Sequence, residues 1–389
     1  MAASDMRQQT RIAIVGYGIA GVSAAIHLRP LGLDITHFER RPAPGARGAG
    51  MILHPAAQRL LQPLGVLKAA QQEGVPIRRI RARTADGHDL FSLDYDDIAK
   101  GASSLGIQRA ALHRILAAVD SGIAEVQTGI DICSLDTKQG VLRDTSGQQY
   151  GPFDLVLIAD GVHSRLRALF DSNRRQQPVS TSAALVGVLP APKALAKNTL
   201  RQVYDPTRHV SVWPVATNPV DRTATLAFAI NLAPKETQHV DTLPPWQDWL
   251  TAAYPGFGAL LRDLPPDSDS PRVVTYREVQ CRHWVNGRAV LIGDAAHAMS
   301  PLLGAGAQFA IEDAAQLARS IARRNDIRAA ADDFARLRAR QLTPFQRASR
   351  WLTPLFMSSN RALATGRDQL FRRLANSALS RTLLRRVLS

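Results

Sequence analysis

Glycines and carboxylates occur together at three points of the chain, each time at the end of an apolar run. Gly16-Tyr17-Gly18-Ile19-Ala20-Gly21 follows Arg11-Ile12-Ala13-Ile14-Val15, and Glu39 stands eighteen residues beyond Gly21. Asp160-Gly161 follows Leu155-Val156-Leu157-Ile158-Ala159. Gly293-Asp294 follows Val290-Leu291-Ile292, with a second glycine pair close behind in Gly304-Ala305-Gly306. Glycine lets backbone N–H groups come within reach of phosphate oxygens, and a helix N-terminus favours negative charge. A carboxylate at a strand end accepts hydrogen bonds from ribose or sugar-alcohol hydroxyls. Together these residues suit a pyrophosphate, a ribose, a polyol chain and an electron-rich ring carbonyl, the parts of a flavin dinucleotide.

The elements that must position them can be read from the same sequence. Residues 11 to 15 are a strand, an alanine-rich helix runs to about Leu31 and ends at Gly32, and a second strand over 34 to 38 ends at Glu39. This is the context a βαβ dinucleotide fingerprint requires. Gly16 permits the tight turn, Gly18 the approach of the pyrophosphate, and Gly21 the packing of helix on strand. Around Asp160 a buried strand leads to a turn, with Ser164 and Arg167 at near-helical spacing; a plain helix cap is the alternative role for Asp160. A third strand, 288 to 292, delivers Gly293-Asp294. The loop Pro301-Leu302-Leu303 then offers an apolar wall, and a helix carrying Glu312 and Asp313 follows. Backbone amides near Gly304 to Ala307 are placed to stabilise negative charge on a ring carbonyl.

Three motifs in this order resemble those of the single-component FAD-dependent aromatic hydroxylases, the class A flavoprotein monooxygenases. The resemblance runs over residues 11 to 350 and is weakest between 180 and 280. It implies a non-covalent FAD held by Gly16, Gly18, Ala20, Gly21, Glu39, Arg40, Arg109, Asp160, Asp294, Gly304, Ala305, Gly306 and Ala307. It also implies NADPH or NADH as transient reductant, O2 as co-substrate, and hydroxylation of an aromatic or polycyclic small molecule through a flavin C4a-hydroperoxide. Gly48-Ala49-Gly50-Met51-Ile52-Leu53-His54-Pro55 matches a segment that runs beneath the flavin in that family, followed by a helix over about 56 to 64. The chain departs from the family at Ile158, where glycine is usual, at Ala305 for glutamine, and at Gln308 for asparagine. His297 reads as structural. His54, Tyr204, His209, Trp213 and Pro301 are candidates for the substrate pocket, and no general base is assigned. The rival enzyme reading is an FAD-dependent reductase or dehydrogenase of a lipophilic substrate on the same fold. A non-catalytic flavin-binding protein is the rival from another class. The halogenase signature W-x-W-x-I-P is absent.

Between 180 and 280 the pattern changes to strands, over 184–189, 199–204, 209–215, 223–232 and 273–279. The expected fold is α/β: a Rossmann-like FAD-binding domain interleaved with a mostly antiparallel substrate sheet, plus C-terminal helices. Its parts are residues 11–175 and 283–350 for FAD, 176–282 for the covering sheet, and 351–389 as a basic helical tail.

Composition narrows the partners. The net charge is +15 over 389 residues, but the bases are mostly arginine in an alanine-rich chain. No aromatic–basic stripe of the kind that stacks bases occurs, so nucleic acid is not expected. A positive field draws anionic cofactors and substrates instead. Cys133 and Cys281 lack metal-ligand spacing and fit a reducing cytoplasm; no metal is expected. No apolar leader and no run of eighteen apolar residues is present. The last 39 residues hold seven arginines against Asp368, with Leu363, Leu370, Leu374, Leu379, Leu383 and Val387 at helical spacing. Such a helix can lie on an anionic membrane surface. Packing on the domain is preferred here, because Pro354 and Gly366 are expected to interrupt the pattern.

Overall fold

The computed structural model describes residues 10–374 except 44, 46–49, 123, 171–181, 193–194, 196–197, 206–207, 218–223, 233–245, 263–270, 302–303 and 358–360. Gly48, Ala49, Leu302, Leu303, Leu379, Leu383 and Val387 therefore lie outside the described residues.

A six-stranded sheet runs in the order Val285–Asn286, Ala289–Leu291, Leu155–Ile158, Arg11–Val15, Asp34–Glu39, Glu125–Thr128. Every pair is parallel except the outermost, Val285–Asn286 on Ala289–Leu291. Parallel strands covered on both faces read as continuous apolar runs rather than alternations. Leu155–Ile158 is fully buried along its length, as are Ile12, Ala13 and Ile14. Ile158, where the resemblance leads one to expect glycine, is one of these buried residues, paired with Val15 on one side and Leu291 on the other. The register has a consequence for the site. Val15 is level with both Ile158 and Phe38, and Ile158 with Leu291. The carboxyl ends of four strands thus align, and each motif leaves the sheet at the same edge, where open α/β sheets bind ligands.

The fingerprint helix Ile19–Leu28 tightens into a single 3-10 turn, Arg29–Leu31, and stops at Gly32 with φ 68°. It packs on the long helix Gly306–Arg323, so the first and third motifs share one core. The helix after His54 is Pro55–Leu61, shorter than the expected 56–64, and the chain turns at Gly65 with φ 73°.

The covering sheet has seven strands in the order Arg272–Tyr276, Ser182–Pro190, Ala224–Leu232, His209–Thr217, Thr199–Tyr204, Arg79–Thr84, Asp89–Asp94. Only the pairing of Thr199–Tyr204 with Arg79–Thr84 is parallel. The last two strands come from the segment ahead of residue 176 and were not singled out by their pattern. Helices Trp246–Ala253 and Phe257–Arg262 cover the back face. The front face meets a small sheet of Gly50–Leu53, Ser104–Gln108 and Val75–Ile77. Two glycines make that meeting close, backbone on backbone at Gly106 and side chain on backbone at Gly50. A Cβ on Gly106 would lie 1.9 Å from the Pro214 carbonyl oxygen, and one on Gly50 would lie 2.5 Å from Val215 Cγ1.

Helix Ile327–Met357 continues through Pro344 and Pro354, and helix Arg361–Leu374 continues through Gly366. The expectation that Pro354 and Gly366 break the pattern is therefore corrected. Both prolines are exposed, and on that side a carbonyl freed by a missing N–H can be solvated. The last helix packs on Asp89–Asp94 and on helix Ile327–Met357. Its Arg367 is buried, 4.9 Å above the Tyr204 ring, and donates to the Leu355 carbonyl. Among the described residues no helix is long and apolar enough to cross a membrane.

Candidate active site

The nucleotide end is built from the turn outward. Gly16 has φ 106°, and its N–H donates to the Phe38 carbonyl at 2.8 Å. A Cβ there would sit 2.5 Å from the Ala159 oxygen, and one on Gly21 would sit 2.0 Å from the Gly16 oxygen. Gly18 is different, because a Cβ on it would meet nothing within 4 Å. The backbone over Gly18 therefore faces open space at the mouth of the turn. Glu39 is fixed by two backbone donors, the N–H of Tyr17 at 2.9 Å and of Arg41 at 3.0 Å. Ala20 is buried and touches the third motif: a Cβ on Gly293 would lie 2.8 Å from Ala20 Cβ. Arg40 is exposed just past Glu39, and Arg109 is exposed at the first position of helix Arg109–Asp120.

Beneath this turn lies a buried polar cluster that the motif does not announce. The Tyr17 ring meets His37 and His113 edge-on, at 5.0 and 5.6 Å. His113 is bonded to the Tyr17 carbonyl at 2.7 Å. His37 and Asp120 are both fully buried, 3.7 Å apart, and none of their side-chain polar atoms has a hydrogen-bond partner in the protein. Burial holds His37 down to about 3 and pushes Asp120 up; the nearby Tyr17 hydroxyl, without hydrogen-bond geometry, only partly offsets the latter.

The second and third motifs are tied to each other. Arg167 donates to the Val162 carbonyl at 2.7 Å and to the Ala295 carbonyl at 3.1 Å, joining the Asp160 turn to helix Asp294–His297. Burial raises the Asp160 carboxyl, against the pull of Ser164 and Arg167, and its Oδ1 has no partner in the protein. Beside it Arg167, with Arg277 and Arg40, forms a cationic group around His163. Burial and then those three arginines lower His163.

The Gly293-Asp294 turn is held by a carboxylate twenty residues on. Asp313 accepts from the Gly293 N–H at 2.8 Å and lies 2.6 Å from His297 Nε2 and 2.7 Å from Arg338 Nε. Arg338 also donates to Glu312 and Gln341. Burial alone would raise Asp313, but His297, Arg338 and the Gly293 amide outweigh it and hold its carboxyl below the usual range. His297 is thus committed to this network and stacks on Trp284 at 5.2 Å. Gly304 has φ 60°, and its N–H donates to the Pro301 carbonyl at 2.9 Å. Ala305 caps helix Gly306–Arg323, with Ala307 in its first turn. Gln308 donates to Glu312, which leaves its own amide oxygen without a partner.

The five pocket candidates separate into three places. His54 is buried beneath the Pro301 loop. Its Nδ1 lies 3.0 Å from Ser104 Oγ and 3.2 Å from the Tyr95 hydroxyl, and its Nε2 is 3.3 Å from where a Gly304 Cβ would be. Burial pushes Tyr95 up to about 12, against the Ser104 hydrogen bond. Pro301 is exposed at the rim. Trp213 sits on the front of the covering sheet against Gly50, with its indole N–H buried and unpartnered. Tyr204 and His209 lie further along that face, stacked at 4.2 Å under Arg367 and Phe356.

This geometry suits FAD. The backbone is open at Gly18, the Glu39 carboxylate is held at a strand end by two amides, and Asp160 and Gln308 carry acceptors without a partner in the protein. The arrangement defines a flavin-dependent oxidoreductase. A family profile described as "FAD binding domain" matches residues 9–333. The 3-amino-4-hydroxybenzoate 2-monooxygenase of Streptomyces cremeus is 32% identical over 378 residues, covering 93% of this chain and 91% of its own. The aurachin C monooxygenase/isomerase of Stigmatella aurantiaca is 26% identical, covering 95% and 96%. HpxO of Klebsiella pneumoniae, solved with FAD and uric acid, superposes with a TM-score of 0.82 at 22% identity, over 98% of this chain and 97% of its own. The chain belongs to the class A flavoprotein monooxygenase family.

Missed by sequence reading were Arg338, which donates to Asp313 from 25 residues away, and the Ser104–Tyr95 support of His54. Only the burial of those polar residues in apolar surroundings could have signalled them.

Proposed function

We propose that the roles at this site divide as follows in an FAD-dependent, NAD(P)H-using aromatic monooxygenase. Gly16, Gly18, Ala20 and Gly21 take the pyrophosphate, and Glu39 the adenosine ribose. Arg40 and Arg109 supply positive charge. Asp160 and Asp294 hold the polyol end, and Gly304, Ala305, Gly306 and Ala307 border the flavin ring. When bound, FAD carries two electrons from NAD(P)H to O2, and the balanced outcome is R–H + O2 + NAD(P)H + H⁺ → R–OH + NAD(P)⁺ + H2O. The protein's own part is placement and exclusion of water. Arg40, Arg167 and Arg277 offer a cationic landing for the reductant's pyrophosphate. Residues 11–175 and 283–350 serve as the FAD-binding parts, the first lending strands Arg79–Thr84 and Asp89–Asp94 to the covering sheet, 176–282 as the covering part and 351–389 as the helical tail. Two cysteines, Cys133 and Cys281, without metal-ligand spacing fit a cytoplasmic setting.

The observation that carries this division is the alignment of strand ends, which brings three separate carboxylates to one edge under a polar-faced sheet. The test is direct. The purified protein should be yellow, release one FAD on denaturation, and consume NAD(P)H faster with an aromatic ligand, the product gaining one oxygen. A colourless protein that takes up no FAD would sink the assignment; peroxide without oxygenated product would sink the hydroxylase.

A further inference from the structure

The two faces of the covering sheet differ in charge across their middle strands. Arg201 lies opposite Val212 and level with Arg81, and Arg83 follows on the same side. These arginines point to the back, where Arg83 donates to the Ala253 carbonyl and Arg201 to the Leu195 carbonyl. The front face is fixed by the contact of Trp213, Val215 and Ala227 with Gly50. Strand alternation then puts Ser211 and His209 on the front. Pairing adds Gln202 beside Ser211, Ala229 across from it, and Val186 beyond. Across the five strands from Arg79–Thr84 to Ser182–Pro190, no front position among the described residues is Asp, Glu, Lys or Arg; the edge strand beyond places Arg272, exposed, on this side, level with Val186.

This front is also recessed. Gln202, His209, Ala229, Val186 and Val188 are half-buried at the middle of a seven-stranded sheet, while Val203, Val210, Phe228 and Leu185 behind them are buried. Its polar groups are neutral. His209 is held down to about 3 by burial and by Arg367, and its Nε2 is 2.8 Å from Ser211 Oγ, itself 3.3 Å from Gln202 Nε2. Trp213 adds a buried indole N–H with no acceptor in the protein. Of the two arginines at its margins, Arg367 is engaged by Asp368 at 2.8 Å and Arg272 stands exposed on the edge strand.

We propose that this face selects an uncharged aromatic substrate whose ring edge pairs a carbonyl or hydroxyl acceptor with an N–H or O–H donor, and that it rejects ring carboxylates. An anion brought here would lose its hydration without gaining a counter-charge. A neutral ring would stack on apolar positions, satisfy the Trp213 N–H and join the Gln202–His209–Ser211 chain. This rests on the monooxygenase reading and names its substrate class.

The test uses the FAD-loaded protein and two matched pairs of ligands: 4-quinolone with 4-quinolone-3-carboxylate, and 4-hydroxybenzamide with 4-hydroxybenzoate. Dissociation constants come from perturbation of the flavin spectrum, without turnover. The uncharged member of each pair should bind at least about tenfold more tightly. Ser211→Arg, or Gln202→Lys if that variant does not fold, should shrink or reverse the ratio. Equal or tighter binding of the carboxylates overturns the proposal, as does the failure of all four ligands to perturb the flavin. Product analysis separates the two readings. Selective binding without hydroxylation removes the hydroxylase and leaves the selectivity, whereas hydroxylated carboxylates do the reverse.

Discussion

His297–Asp313 and His37–Asp120 are both buried histidine–aspartate pairs in the FAD-binding layer. The first is 2.6 Å apart, and its carboxylate also holds a backbone amide and an arginine. The second is 3.7 Å apart and its polar atoms have no partners. The same two residue types therefore do different work. A buried charge is retained when its lone pairs are all engaged, and an unengaged pair settles towards neutrality. The engaged pair fixes Gly293, one residue before the proposed polyol contact. The unengaged pair lies under Tyr17 and contributes packing.

Asp313→Ala gives the largest expected effect. It strands Arg338 and the Gly293 N–H, and breaking a buried pair of this kind costs about 3–5 kcal/mol. Thermal unfolding should move down steeply, and FAD should be lost on gel filtration. A variant that keeps both wild-type melting and FAD would erase the distinction between the pairs. Asp294→Ala comes next, because it removes a ligand contact and leaves the Asp313 network whole. We expect about 1.5–3 kcal/mol of lost FAD affinity with the apoprotein's melting unchanged, read by FAD titration beside a melt of the apo form. Loss of apo stability would mean that Asp294 belongs to the network after all.

The smallest effect belongs to the loose pair and appears in its pH dependence. His37 has a folded pKa depressed to about 3 from 6.5. The unfolded chain therefore takes up a proton below pH 6.5 that the folded chain refuses, and stability falls as pH drops from 6.5 towards 3. Asp120, raised by burial, works in the opposite sense and costs stability as pH rises through its folded value. His37→Leu should flatten the acid limb, with a gain relative to wild type of about 1.4 kcal/mol at pH 5.5. Denaturant melts at pH 5.5 and 7.5 give the slope; an unchanged slope would show that His37 is charged in the fold. Asp313 should keep its stabilising effect down to acid pH, since its carboxyl is held below the usual range.

How much of this was legible in advance depends on the reach of each interaction. The turn at Gly16, the packing at Gly21 and the acceptor at Glu39 follow from local backbone demands, so their spacing announced them. The covering sheet's core strands announced themselves by apolar runs. Arg79–Thr84 and Asp89–Asp94 did not, because their place beside Thr199–Tyr204 is settled by a parallel pairing more than a hundred residues distant. Pro354 misled because a proline's effect on a helix depends on which side it faces. The division of the front face from the back, with arginines across the middle strands of one and none across the middle of the other, required knowing which residues are level across strands.

Gly106 and Gly50 bear on how the molecule can breathe. At Gly106 the backbone of the covering sheet rests on bare backbone, and at Gly50 its Val215, Ala227 and Trp213 side chains do, so the layer below interposes no side chain at either point. Such a seam does not slide, and it behaves as the closed heel of a jaw. Traffic of substrate and product must then be served from the toe, where Arg367 and Phe356 rest on Tyr204. The last two helices become the natural latch, and their rate of lifting, rather than the chemistry beneath, is where turnover would be governed.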